Sequence, residues 1–292
     1  MKNNHPFKIF ISAVLLLLSL SSSSCSASEY YSYHNLSYGP EARQKLDLYL
    51  PKNGSGEVGL ILNIHGGGWT AGDKDVYRET NAYWSGQRGY VSAAINYRYT
   101  SDTVDAFDIM DDITSALNLI KEKAATKDIT VSKVLLTGGS AGAHLSLLYA
   151  YARFDEAPIT PALVVSLSGP TDIANDDYFD LTIWGEGLYH LFSCLSGFTF
   201  DEASYEQAIP SLQSVSPVTY VSETSIPTII CHGELDDIVP YSDAIILDQA
   251  LTDHGVKHDF VTFPNSGHGL DNDPAVFEHV NLLIDEYIAD YL

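Results

Sequence analysis

The chain has 292 residues, 45% of them hydrophobic, and a formal net charge of −23 from 38 acidic against 15 basic side chains. That length and apolar content suit a single α/β domain with a sizeable core. The charge argues against nucleic acid and anionic lipid surfaces as partners, because both are negative themselves.

Lys2 and Lys8 precede an apolar run from Ile9 to Leu20. The run falls short of the about 20 residues a membrane-spanning helix needs, so residues 1–27 read as an export signal. Cys25 resembles a bacterial lipidation site, although Ser22 stands where such sites usually carry leucine. Ordinary cleavage near Ala27 is the rival reading. The expected location is periplasmic, extracellular or lipid-anchored, with membrane contact only through Cys25.

The remainder, residues 28–292, reads as one domain. Tyr30 to Pro51 alternates as an antiparallel opening pair with a turn at Tyr38-Gly39-Pro40. Leu60 to Ile64 reads as a buried strand that runs into His65-Gly66-Gly67-Gly68-Trp69. Consecutive glycines there let backbone amides face a ligand. Tyr90 to Asn96 is a further strand. Ala106 to Ala124 is an amphipathic helix, with Phe107, Met110, Ile113, Leu117 and Ile120 at helical spacing. Its acids Asp108, Asp111 and Asp112 sit in the early turns, where the helix dipole favours them, and read as structural.

Val134-Leu135-Leu136 is a strand that ends in Gly138-Gly139-Ser140-Ala141-Gly142, with a helix starting at Ala141. A serine on a strained strand-to-helix corner needs neighbours without bulk at minus two and plus two. Its hydroxyl then emerges beside a helix N-terminus whose amides attract a developing oxyanion. Ser140 is the candidate nucleophile. Ala162 to Ser168 is the next strand. From Asp172 to Gln213 the alternation breaks into an aromatic-rich stretch holding Tyr178, Phe179, Trp184, Tyr189, Phe192, Phe198 and Phe200.

Ile226 to Cys231 is a strand that leads into His232-Gly233-Glu234-Leu235-Asp236-Asp237. An acid just past a strand end can orient a histidine. Asp236 is preferred, with Asp237 and Glu234 as competitors. After the strand Phe260 to Phe263 comes Gly267-His268-Gly269, a histidine on a loop that is free to swing. Tyr241 to His254 and Pro274 to Leu292 are helices. Strands alternating with helices imply a mostly parallel central sheet with helices on both faces. Of the other histidines, His65 reads as a brace for the glycine loop. His144 reads as packing against the corner, and His232 as a structural hydrogen-bonder. No pair has the company of a zinc site such as H-E-x-x-H, so no metal is expected. Cys194 and Cys231 are either bridged or buried as free thiols.

His65 to Trp69, Gly139 to Gly142, His232-Gly233 with Asp236 and Val239-Pro240, and Gly267 to Gly269 together resemble the α/β-hydrolase carboxylesterases. The nearest group is the hormone-sensitive-lipase-like and feruloyl- or acetyl-xylan-esterase-like enzymes. The order Ser140, Asp236, His268 is that of the α/β-hydrolase fold. The resemblance implies serine esterase chemistry without a cofactor, and a cap-like insertion from Asp172 to Gln213. It implies Ser140, Asp236 and His268 as the catalytic set, and an oxyanion hole from the N–H groups of Gly67, Gly68 and Ala141. Trp69 and Trp184 are expected to contact a small-molecule or carbohydrate ester. Gly139 and Ala143 depart from the family's pattern, where an acid or bulkier residue and a second glycine are common. Amide hydrolysis on the same fold is the alternative, and a non-catalytic binding protein the remote one.

Overall fold

The computed structural model describes residues 29–181, 185 and 187–292. The expected export signal with Cys25, and Trp184, lie outside the described residues. Among those described, eight strands form one sheet. In chain order they are β1 (Tyr30–Ser37), β2 (Lys45–Pro51), β3 (Leu60–Ile64), β4 (Val91–Ile95), β5 (Lys133–Gly139), β6 (Thr160–Leu167), β7 (Thr228–Gly233) and β8 (His258–Phe263). The spatial order is β1-β2-β4-β3-β5-β6-β7-β8. The pairings β1 with β2 and β2 with β4 are antiparallel. From β4 onward every pairing is parallel.

Side chains on a strand alternate between faces, and here both faces are apolar. Leu60, Leu62 and Ile64 of β3 and Val134 and Leu136 of β5 join the larger core. That core also takes residues of α2 (Ala106–Ala125), α3 (Ala141–Ala152) and α7 (Tyr241–Asp253). Ile61 and Leu135, one residue out of step, join a smaller core with Trp84 of α1 (Arg78–Gly86) and Val280, Ile284 and Ile288 of α8 (Pro274–Tyr291). Helices therefore cover both faces, as the strand runs require.

Asp105 caps α2 by accepting from the N–H groups of Phe107 and Asp108, and the Asp108 carboxylate returns a bond to the Asp105 N–H. Two details of α2 differ from the sequence pattern. Phe107 is only half-buried, and its place on the inner face goes to Ile109. Asp112 is buried and held by partners of its own, where the sequence pattern points only to the helix dipole. Arg98 meets it at 2.8 Å, and the Gln44 side chain and Arg98 N–H also donate to it. Removing either partner of such a pair would strand a buried charge.

The aromatic-rich stretch leaves the sheet after β6 and carries α4 (Asp177–Asp180), α5 (Gly187–Ser196) and α6 (Tyr205–Ser214) before β7. Its rings pack on each other: Tyr178 edge-on to Phe192 at 5.2 Å, Phe179 stacked on Tyr189 at 5.1 Å. Fully buried Asp243, in the first turn of α7, ties its start to the domain. Asp243 accepts from the N–H groups of Thr171 and Asp172, from Asn175 and from the Tyr178 hydroxyl. Cys194 and Cys231 are both free and buried.

Candidate active site

The site is assembled at the C-terminal edge of the parallel strands. Ser140 follows β5 directly, with φ 55° and ψ −125°. A non-glycine residue held there costs on the order of 1–3 kcal/mol, so the surroundings must hold it. They do so through Ser140 N–H, which donates to the Leu167 carbonyl at 2.8 Å, and through the two flanking glycines. A Cβ on Gly138 would lie 2.2 Å from the Ile64 carbonyl oxygen, and one on Gly142 would lie 1.9 Å from the same atom. The corner is thus pressed against the end of β3, and only glycine fits at either position. Gly139 is different: the nearest atom to a Cβ there is 3.8 Å away. The Ser140 hydroxyl makes no capping bond to α3, which leaves its oxygen for other work.

The glycine loop after β3 lies against this corner. A Cβ on Gly66 would come within 2.7 Å of the Gly139 carbonyl and 3.3 Å of Ser140 Cβ. Gly67 and Gly68 have φ 115° and 56°. The loop is clamped from behind. His65 Nδ1 bonds the Gly66 carbonyl at 2.8 Å, and Arg43 donates to His65 Nε2 at 3.1 Å and to the Gly72 carbonyl at 3.1 Å. His65 stacks on Tyr97 at 4.3 Å. Burial, with the Arg43 charge adding to it, pushes the His65 pKa down to about 4. The ring is therefore neutral, with its proton on Nδ1.

Trp69 does not face a cleft as expected. It is 3% exposed, donates from Nε1 to His144 Nδ1 at 3.1 Å and meets that ring edge-on. Trp69 has a positive φ of 58°, and its ring joins the larger core. His144 passes the link on, since its Nε2 donates to the Val215 carbonyl at 2.8 Å. Burial pushes the His144 pKa down to about 4, which suits a ring that accepts at one nitrogen and donates at the other.

Asp236 and His268 are brought together from the ends of β7 and β8. His268 Nδ1 lies 2.8 Å from Asp236 Oδ2, with the carboxyl fully buried and the imidazole 16% exposed. Glu234 and Asp237 are exposed. Oδ1 of Asp236 accepts from the N–H groups of Ile238 and Val239, at 2.9 and 3.0 Å. Oδ2 also has His232 Nε2 at 3.1 Å. Burial opposes ionisation of Asp236, but the bonds from His232 and His268 outweigh it and hold the carboxyl far below the usual range. It is a carboxylate at any working pH. Gly233 lets the β8 loop close over β7, because a Cβ there would sit 2.3 Å from the Ser266 carbonyl.

His232, expected as a structural hydrogen-bonder, does that work here: its Nε2 lies 3.1 Å from the Asp236 carboxylate and 3.2 Å from the Val239 carbonyl. One contributor lies outside the sequence reading. Arg43 comes from before β2, and nothing local marks it as part of the glycine-loop support. Ser140, Asp236, His268, Gly67 and Gly68 lie in the turns and loops that follow strands on this edge, and Ala141 opens α3.

The BD-FAE family matches residues 46–251. "Esterase LipQ" of Mycobacterium tuberculosis is 25% identical over 264 residues, covering 88% of this chain and 61% of that protein. "Acylamino-acid-releasing enzyme 1" of Oryza sativa subsp. japonica is 28% identical over 238 residues, covering 75% of this chain and 28% of that one. The chain thus spans less than two thirds of either relative. Among solved structures, a "truncated form of carbohydrate esterase from gut microbiota" superposes with a TM-score of 0.64 at 21% identity, covering 90% of this chain and 98% of that one. This likeness is one of fold, the α/β-hydrolase sheet with helices on both sides.

Proposed function

We propose, from the premise that the chain belongs to the BD-FAE family, that it is a serine hydrolase of carboxylic esters acting through an acyl-enzyme. The observation that carries this reading is the 2.8 Å bond between His268 Nδ1 and buried Asp236 on the sheet edge that also carries the strained Ser140. With the ring proton held on Nδ1 by a carboxylate, Nε2 keeps its lone pair and is the ring's base.

Ser140 Oγ attacks the ester carbonyl carbon, and its proton passes to His268 Nε2. The carbonyl oxygen becomes an oxyanion held by the N–H groups of Ala141, Gly67 and Gly68. Collapse breaks the carbon–oxygen bond to the alcohol, which takes the proton from Nε2. Water then repeats the sequence on the acyl-enzyme and frees the acid. Asp236 stays ionised throughout and steadies the imidazolium.

An acylated carbohydrate is the substrate class we favour. A structural neighbour is named a carbohydrate esterase, and the aromatic stretch between β6 and β7 leaves from the edge that carries Ser140 and rejoins the sheet on the way to Asp236. That stretch is the expected cap. Amide cleavage is the second reading, favoured by the relative named an acylamino-acid-releasing enzyme. Export, directed by residues 1–27, fits a carbohydrate substrate outside the cell.

The test pairs labelling with turnover. A fluorophosphonate probe should label wild type and not Ser140→Ala, and that variant should lose p-nitrophenyl acetate hydrolysis. Acetylated xylan and an acyl-amino-acid anilide, assayed side by side, separate the two readings. Survival of near wild-type turnover in Ser140→Ala would overturn the mechanism.

A further inference from the structure

Besides the catalytic set, three side chains of different chemistry converge. His190 and Cys194 lie four residues apart on α5, and so on one face of that helix. Asp102 comes from the tight turn before α2, where Ser101 and Val104 bridge. Cys194 Sγ is 3.7 Å from Asp102 Oδ1 and 3.8 Å from His190 Nε2. One ligand atom from each of the three lies within 4.8 Å of the other two. Cys194 is buried, while Asp102 and His190 are exposed, so the cluster opens to solvent on one side.

These distances can be compared with what an ion would demand. Zinc bonds of about 2.3 Å to sulfur and about 2.0 Å to nitrogen or oxygen, at a tetrahedral angle, put sulfur about 3.5 Å from either other ligand atom and those two about 3.3 Å apart. The two separations from sulfur exceed that by a few tenths of an ångström, and the Asp102–His190 pair, within 4.8 Å, would close by movement of two exposed side chains. The donor set of one thiolate, one imidazole and one carboxylate suits zinc and not magnesium or calcium, which take oxygen ligands.

We propose that Asp102, His190 and Cys194 bind one zinc ion, with water in the fourth position, and that the ion clamps the cap helix α5 to the turn before α2. Binding forms the zinc–sulfur bond and sends the thiol proton to solvent. The clamp bears on the site because Thr100, two residues before Asp102, donates its N–H to the Trp69 carbonyl at 3.0 Å. The spacing of the histidines predicts no metal, because the third donor lies 92 residues from Cys194 in the chain. The proposal is independent of the esterase reading and is tested by binding alone.

The experiment uses the full, untagged chain stripped with a chelator and titrated with Co²⁺ as a spectroscopic stand-in, then with Zn²⁺ in competition with a chromophoric chelator. One equivalent of Co²⁺ should give tetrahedral d–d bands and a near-ultraviolet thiolate charge-transfer band, both displaced by Zn²⁺. Cys194→Ser should lose the charge-transfer band and weaken Zn²⁺ binding by about 100-fold or more, at or above the upper end of the cost of disturbing an outer partner. His190→Ala should weaken it comparably and serves if the serine variant does not fold. Zn²⁺ should raise the unfolding midpoint of wild type and leave both variants unchanged. No charge-transfer band, or the same band and affinity in Cys194→Ser, would overturn the proposal and leave Cys194 as a thiol that donates to Asp102.

Discussion

Asp236→Asn is the sharpest test of the proposed mechanism, because the structure dictates which way the new amide must face. Oδ1 of Asp236 accepts two backbone N–H groups, from Ile238 and Val239. An NH2 group cannot accept them, so the amide oxygen must stay at that position. The NH2 group then takes the place of Oδ2 and points at His268 Nδ1. It can only donate there, so Nδ1 must become the acceptor and the ring proton moves to Nε2. The base is lost while the geometry is kept. In a serine protease the same exchange lowers kcat by about 10⁴, or about 5 kcal/mol of barrier, and a comparable loss is expected here. The NH2 group also meets His232 Nε2, which lies 3.1 Å from Oδ2 and now faces a donor. Some loss of stability should therefore accompany the loss of rate. The assay is kcat for p-nitrophenyl acetate at pH 7.5, with near-ultraviolet circular dichroism to establish that the variant is folded. A folded variant that loses less than about tenfold would refute the tautomer argument and return Glu234 or Asp237 to consideration.

Gly142→Ala should destabilise the protein by about 3 kcal/mol, since its Cβ would sit 1.9 Å from the backbone oxygen of Ile64. Gly139→Ala should change stability by less than about 0.5 kcal/mol. Urea unfolding of the pair checks both, and equal effects would sink the account of the corner. Arg43→Ala should lower kcat by about tenfold, or about 1.4 kcal/mol, through loosening of the loop behind Gly67 and Gly68; a change in KM alone would contradict it. Burial holds the pKa of both His65 and His144 down at about 4, below the unfolded value of about 6.5. The unfolded chain then binds more protons, so the stability they confer is present above pH 6.5 and lost as pH falls toward 4. At pH 5 the loss is about 2 kcal/mol for each. His144→Gln should flatten that slope by about one proton-equivalent in urea titrations from pH 7 to 4.5.

The parts legible in the sequence were those carried by short-range pattern. Runs such as Leu60–Leu62 and Val134–Leu136 are apolar at successive positions because both faces of the sheet are covered, and that alone implies helices on two sides. Gly138 and Gly142 could be read as obligatory from the spacing of the motif, although the atom that excludes a Cβ at both is the Ile64 carbonyl of β3. Trp69 shows the limit. An aromatic beside a glycine loop looks like a ligand contact, yet the ring packs in the core and donates to His144. That partner lies 75 residues on, and no local spacing records it.

The same distinction separates Asp236 from its neighbours. By itself the sequence determined that an acid, a histidine and a serine follow strand ends in an order that the fold uses. Only tertiary structure decided among Glu234, Asp236 and Asp237, because the choice rests on which carboxylate is buried and met by donors. Two of those donors are local, Ile238 and Val239, and one arrives from β8, 32 residues on. Arg43 behind His65, and Asp102 opposite Cys194, belong to the same class. Their partners are close in space because strand order and helix packing bring distant segments together, and no local spacing records that.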